Sequence, residues 1–364
     1  MPRNSDGTWA EPLLLVSNAS HGDSLGSWVV IAPSGTVAAT GAPSAEGGRG
    51  AIAIYEAVPN PRVLWRQVAY LTTSDAPGVS IAGLGSSIGW SADGSTLIAG
   101  APASTVRGLQ KAGAAAVFAS PLRGDTGGWV LSAVLTFAAA DSGAGAFAAV
   151  SLSADGRTLV AGAYFADAGA GAASAFGLQG FEWPPAHWEE QPLVPPSPLP
   201  GDGFGSDVAV SGDGQAILVG AWRAPGGSGP GAAHVFQFEP GRQQWAWAAE
   251  LTAPGGHAMD GFGEAVLLAW DGTAAIVGAY PSLGGVVDGA VYPFARNHSG
   301  AGKWAPAGPR WLPPVPLRNE CFAYLFDCDG VVAPGPVTTC AIATYNAPGA
   351  AAEAGAAYVW SVSN

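Results

Sequence analysis

Val208-Ala209-Val210-Ser211-Gly212-Asp213-Gly214-Gln215-Ala216-Ile217-Leu218-Val219-Gly220-Ala221-Trp222 sets two short apolar runs around an Asp-Gly turn, which is a β-hairpin signature. The turn dipeptide recurs at Ser34-Gly35, Asp93-Gly94, Asp155-Gly156, Asp271-Gly272 and Asp329-Gly330. The second run closes on Gly41-Ala42-Pro43, Gly100-Ala101-Pro102, Gly162-Ala163-Tyr164, Gly278-Ala279-Tyr280 and, in a degenerate last copy, Ala343-Thr344-Tyr345. A third element opens on Gly-Ala and reaches an aromatic five residues after the Gly, from Gly50 and Tyr55 to Gly355 and Trp360. A fourth carries Trp and then Leu, as in Trp65 and Leu71, Trp129 and Leu135, Trp245 and Leu251. That spacing of six is even and predicts Trp and Leu on one strand face. Four strands in about 60 residues, repeated six times, predict an all-β propeller of six four-stranded blades. The expected domain is one ring over residues 1–364, with seven blades as the alternative.

The last unit stops after its third strand, and Trp9 to Leu15 supplies an orphan strand that would close the ring. The run from Pro192 to Pro200 falls where a fourth strand and its loop belong, and reads as an irregular blade edge. Gly 54 and Pro 30 among 364 residues exclude long helices, while 48% hydrophobic and 11% charged residues exclude a disordered polar chain. A net charge of −13 with scattered Lys and Arg excludes a nucleic-acid backbone binder. No apolar run is long enough to span a membrane, and no signal peptide is visible from Met1 to Asp6. The protein is therefore expected either inside the cell or as part of a longer, multidomain precursor.

Asp202-Gly203-Phe204-Gly205 and Asp260-Gly261-Phe262-Gly263, followed by Gly-Ala-Pro-type strands, resemble FG-GAP repeats. Such repeats form the β-propeller of integrin α-subunits and related extracellular proteins. The resemblance spans essentially the whole chain and implies a propeller in an extracellular or cell-surface setting. Integrin propellers have seven blades, against six units here. Many FG-GAP turns also hold calcium through several alternating Asp or Asn oxygens. Here the turns Ser91-Ala92-Asp93-Gly94, Ser153-Ala154-Asp155-Gly156 and Ser211-Gly212-Asp213-Gly214 each offer one carboxylate, so no cofactor is expected. The weak calcium candidates are Asp327 and Asp329 in the sixth turn.

No catalytic set stands out: the five His fall in different units, and neither a nucleophile elbow nor a phosphate loop is present. An acid recurs two residues before the Phe-Gly position, at Asp23, Asp202, Asp260 and Glu320. Tyr164, Trp222, Tyr280 and Tyr345 end the second strands on the same face. Aromatics beside acids form a platform for sugars or peptide side chains. The expectation is a non-enzymatic module presenting that face to a protein or glycan partner. The alternatives are a polysaccharide lyase or hydrolase built on the acid ring, or a structural module of a larger wall protein. Cys328 and Cys340 flank an insertion and are read as a disulfide with Cys321 free, implying an oxidising compartment. The sequons at Asn18 and Asn297 point the same way.

Overall fold

The computed structural model describes residues 22–32, 35–58, 64–120, 128–180, 184, 187–280, 289–297, 303–312, 321–329, 338–345 and 356–362, the last three segments as backbone alone. The strands predicted on either side of each Asp-Gly turn pair with one another, and each pair continues into a meander; residues 330–337, between the last such pair, lie outside the described residues. Blade 1 holds β1 (Val29–Ile31), β2 (Val37–Ala42), β3 (Ala51–Val58) and β4 (Leu64–Leu71). A small pair, β5 (Val79–Ser80) and β8 (Thr105–Val106), flanks blade 2. That blade is β6 (Ser87–Trp90), β7 (Thr96–Ala101), β9 (Ala114–Ala119) and β10 (Val130–Leu135). Blade 3 is β11 (Ala149–Leu152), β12 (Thr158–Ala163), β13 (Ala172–Leu178) and β14 (Trp188–Leu193). Blade 4 is β15 (Phe204–Val210), β16 (Ala216–Ala221), β17 (Ala232–Glu239) and β18 (Gln244–Leu251). Blade 5 is β19 (Phe262–Leu268), β20 (Ala274–Ala279), β21 (Ala290–Arg296) and β22 (Trp304–Pro306). Blade 6 shows β23 (Cys321–Asp329), β24 (Thr338–Tyr345) and β25 (Ala356–Val362). The six sheets are the blades of an all-β propeller. Residues 9–15, expected as the fourth strand of blade 6, lie outside the described residues, as do Asn18 and Glu320.

First strands pack on one another from blade to blade and so face the axis, while fourth strands form the rim. The repeated glycine of the second strand is explained by this approach. A Cβ on Gly220 would lie 1.9 Å from the carbonyl oxygen of Gly263 in the next blade, and one on Gly162 would lie 2.1 Å from that of Gly205. No side chain fits such a gap. Apolar layers fill the blade interfaces, as where Leu218 and Val235 meet Phe262, Val266 and Val277. On the turn face, backbone bonds stitch hairpin to hairpin: Ala92 N–H donates to Ala154 O at 2.8 Å, and Ala154 N–H to Gly212 O at 3.0 Å.

The even Trp-to-Leu spacing predicts the wrong facing. Trp65 pairs with Ala57 and Leu71 with Ile52, positions an odd number apart on β3, so the two side chains face opposite sides. The reason is a register shift in β4, where one extra residue resets the alternation; β10 and β18 carry the same irregularity. Pro192 pairs with Ser174 in the rim strand β14, where an edge tolerates proline.

Candidate active site

Two carboxylates break the repeat on the axial strands of blades 4 and 5. Counted back from the hairpin turn, Asp207 stands where other blades have Trp28, Ser87, Ala149 and Ala265. Glu264 stands where they have Ser27, Ser86, Ala148 and Ser206. Asp207 staples the two blades, its Oδ2 accepting the Val266 N–H at 2.8 Å and its Oδ1 the Val208 N–H at 2.9 Å. Burial pushes its pKa up to about 6, against the pull of those two donors. Glu264 has a buried Oε2 with no hydrogen-bond partner. Burial first, then the charge of Asp207, pushes its pKa up to about 7, with Arg223 opposing. Both acids keep a partly accessible surface. Each residue is thus half-buried, while the Oε2 of Glu264 itself is shut off from solvent.

Arg223 comes from the loop after β16. Its backbone N–H donates to Asp202 O at 3.1 Å, and its Cζ sits 4.0 Å above the Trp222 ring. Its Nε is buried without a hydrogen-bond partner. The indole of Trp222 is seated on backbone: a Cβ at Gly203 would lie 2.6 Å from its Nε1, and Gly203 has φ +67. A carboxylate titrating near neutrality within the field of a guanidinium whose Nε lacks a hydrogen-bond partner can move a proton and stabilise a developing negative charge.

The acids and aromatics singled out from sequence are placed as follows. Asp202 is buried and accepts backbone N–H groups from Leu199, at 2.8 Å, and Gly226, so both oxygens shape the loop. Asp260 is 2% exposed, accepts the His257 N–H at 2.6 Å through Oδ2, and leaves Oδ1 buried without a partner. Asp23 takes the Ser44 N–H on its backbone oxygen. Tyr164 packs on Phe165, ring centroids 4.1 Å apart, and Tyr280 is half-buried. Trp222 and Asp202 meet at one loop pair, and Tyr280 closes on Gly261 next to Asp260. Tyr345 ends β24, and Asp327 and Asp329 are ladder positions of β23, opposite Ala341 and Thr339, rather than turn residues; the side chains of these strands are not described. His234 is a strand residue of β17, its Nδ1 accepting the Trp247 Nε1–H at 3.4 Å, and burial pushes its pKa down to about 4.

Among the described residues, no group of three or more His, Cys, Asp or Glu is placed to hold a metal ion. The turn carboxylates serve their own turns: Asp93, Asp155 and Asp213 each accept the preceding Ser hydroxyl, Asp155 at 2.6 Å. Cys328 and Cys340 are direct partners in the β23–β24 register.

The FG-GAP repeat family matches residues 188–236 and 245–294, the segment that bears Asp207, Arg223 and Glu264. The match is to the repeat itself, and the likeness to integrin α-subunits rests on that shared repeat alone. No curated protein matches the sequence. Among solved structures, the chain is similar to a putative 6-phosphogluconolactonase from Bacteroides fragilis, with 13% identity and TM-score 0.54 over 88% of this chain and 79% of that one. It is similar to the periplasmic gluconolactonase PpgL of Pseudomonas aeruginosa, with 17% identity and TM-score 0.54 over 94% and 85%. A third is Kuenenia stuttgartiensis hydrazine synthase, with 10% identity and TM-score 0.50 over 91% and 80%. At such identities the likeness shows the fold. These neighbours are enzymes, which corrects the expectation of a non-enzymatic adhesion module.

Proposed function

From a propeller that carries FG-GAP repeats, we propose a hydrolase that opens a sugar-derived lactone, with Glu264 as its general base. The observation that carries this reading is Glu264, whose Oε2 is buried without a partner and whose pKa is pushed to about 7 by burial and by Asp207, against the pull of Arg223. Support of a weaker kind comes from two structural neighbours whose titles name lactonases.

In the proposed reaction, Glu264 takes a proton from water as the water oxygen attacks the lactone carbonyl carbon. The Arg223 guanidinium stabilises the oxyanion. Collapse breaks the ring C–O bond, and the leaving alkoxide receives the proton from Glu264. Lactone plus water becomes a hydroxy acid, and Glu264 is restored. Asp207 raises the basicity of Glu264 and fixes the two axial strands. Trp222 carries Arg223 and, with Tyr280 and Tyr164 on the same face, walls the mouth. The side chains are proposed to act without a bound cation, and the hairpin turns to hold no calcium, so EDTA leaves activity and thermal midpoint unchanged.

The test is hydrolysis of galactono- and gulono-1,4-lactone, followed by proton release. Glu264→Gln lowers kcat/KM by about 10²–10⁴. Absence of hydrolysis of either lactone refutes the reading. We also place the protein outside the cytoplasm, with Cys328 and Cys340 joined; the register that pairs them supports this. Two thiols that react with a maleimide only after reduction are expected.

A further inference from the structure

A cleft of about 770 Å³ opens between blades 3 and 4 on the turn face, whereas Glu264 sits near the start of β19, at the other end of its strand from the turn. Five of the chain's eight glutamines line it: Gln179, Gln191, Gln215, Gln243 and Gln244. Half-buried Trp245 forms an apolar wall, its ring tilted against Phe238 at 5.4 Å. Gln191 accepts the Trp245 N–H through Oε1 at 3.1 Å, which leaves its amide hydrogens uncommitted. The Trp270 indole, 58% exposed on the same face, lies over Gly212, where a Cβ would come within 2.3 Å of the ring. Its carbonyl accepts the N–H of Asp213, itself a cleft residue, at 3.1 Å.

The same place between blades 4 and 5 is bridged. There Arg296 donates to Gln237 Oε1 at 2.6 Å across the blade boundary. Counted from the buried aromatics Phe176, Phe236 and Phe294, Gly177 stands where Gln237 does, and Phe238 where Arg296 does. The bridge is therefore missing between blades 3 and 4. Nothing in the backbone demands glycine at 177, because an added Cβ would meet only Gln179 Nε2, at 3.6 Å. Gly177 keeps the cleft open.

The lining selects the ligand. Amides both donate and accept and so match sugar hydroxyls, while an indole covers the apolar face of a sugar ring. The cationic groups of the lining are held by the protein itself: Arg157 donates to the carbonyls of Leu178 and Gly180 at 3.0 and 3.1 Å, and Arg242 pairs with Glu239 at 3.0 Å. We propose that this cleft binds a neutral oligosaccharide, independently of the chemistry at Glu264.

The full chain is titrated with cellopentaose, maltopentaose and laminaripentaose by calorimetry and tryptophan fluorescence. Saturable binding of at least one, with Kd about 1 mM or tighter, is expected. Gly177→Gln, which copies the residue of blade 4, weakens it at least about tenfold at an unchanged thermal midpoint. Gln244→Ala, at an exposed position, also weakens it, and Glu264→Gln leaves it intact. Failure of all three sugars to bind, binding that survives both cleft substitutions, or binding lost in Glu264→Gln overturns the proposal.

Discussion

Glu264→Gln makes the protein more stable at alkaline pH. In the fold the Glu264 pKa rises from 4.5 to about 7, so the folded state holds its proton where the unfolded state has released it. A group with a raised folded pKa contributes stability below its unfolded value and loses it as pH climbs through the folded value. Ionised at pH 8, Glu264 costs the folded state up to about 3 kcal/mol relative to a neutral isostere. Water access and coupling to Asp207 reduce that to about 1–2 kcal/mol. The penalty falls below about 1 kcal/mol at pH 5 and fades toward pH 4. At about 2 cal/mol/K per residue over this chain, the gain at pH 8 is a rise of about 2 °C in thermal midpoint. Calorimetry at pH 5 and pH 8 on wild type and variant reads it directly. A variant equally or less stable at pH 8, or one whose difference from wild type ignores pH, refutes the reasoning.

Gly220→Ala places a methyl 1.9 Å from a backbone oxygen of blade 5, and lowers stability by about 3 kcal/mol or more in denaturant unfolding, whereas Gly241→Ala, with open space around it, has little effect. His234 has a folded pKa depressed to about 4, so its contribution is intact above 6.5 and is lost as pH falls toward 4. His234→Tyr, which copies Tyr292 of the next blade, removes that loss of about 2 kcal/mol, seen as a flatter acid limb of stability against pH. Reduction of the Cys328–Cys340 pair lowers the thermal midpoint by an amount matching about 2–3 kcal/mol, and an unchanged midpoint refutes the pairing.

The fold was legible because its devices are local and repeated. Asp213-Gly214 forms a turn by its own chemistry, and the Gly-Ala steps mark where blades touch. Facing along the rim strands was not legible, since the bulge that separates Trp65 from Leu71 leaves the residue count unchanged while resetting the alternation. The site was missed for a related reason. Recurrence selects residues that every blade needs for folding, and Asp202 proves to be a loop clasp of that kind. Asp207 and Glu264 occur once each, at axial positions where the rest of blades 1–5 carry Ser, Ala or Trp. A charged residue that interrupts a repeat of small ones was the available signal. Its raised pKa depends on enclosure by the neighbouring blade, which no single repeat displays.

The central claim is that Glu264 is the base of a hydrolase, and a pH–rate profile for galactono-1,4-lactone tests it most directly. With the uncatalysed rate subtracted, kcat/KM is expected to rise to a plateau through about pH 7, the pH at which Glu264 loses its proton. Glu264→Gln is expected to lose that rise together with about 10²–10⁴ of the rate, while folding at least as stably as wild type. A Glu264→Gln variant that keeps the wild-type rate and profile would contradict the account.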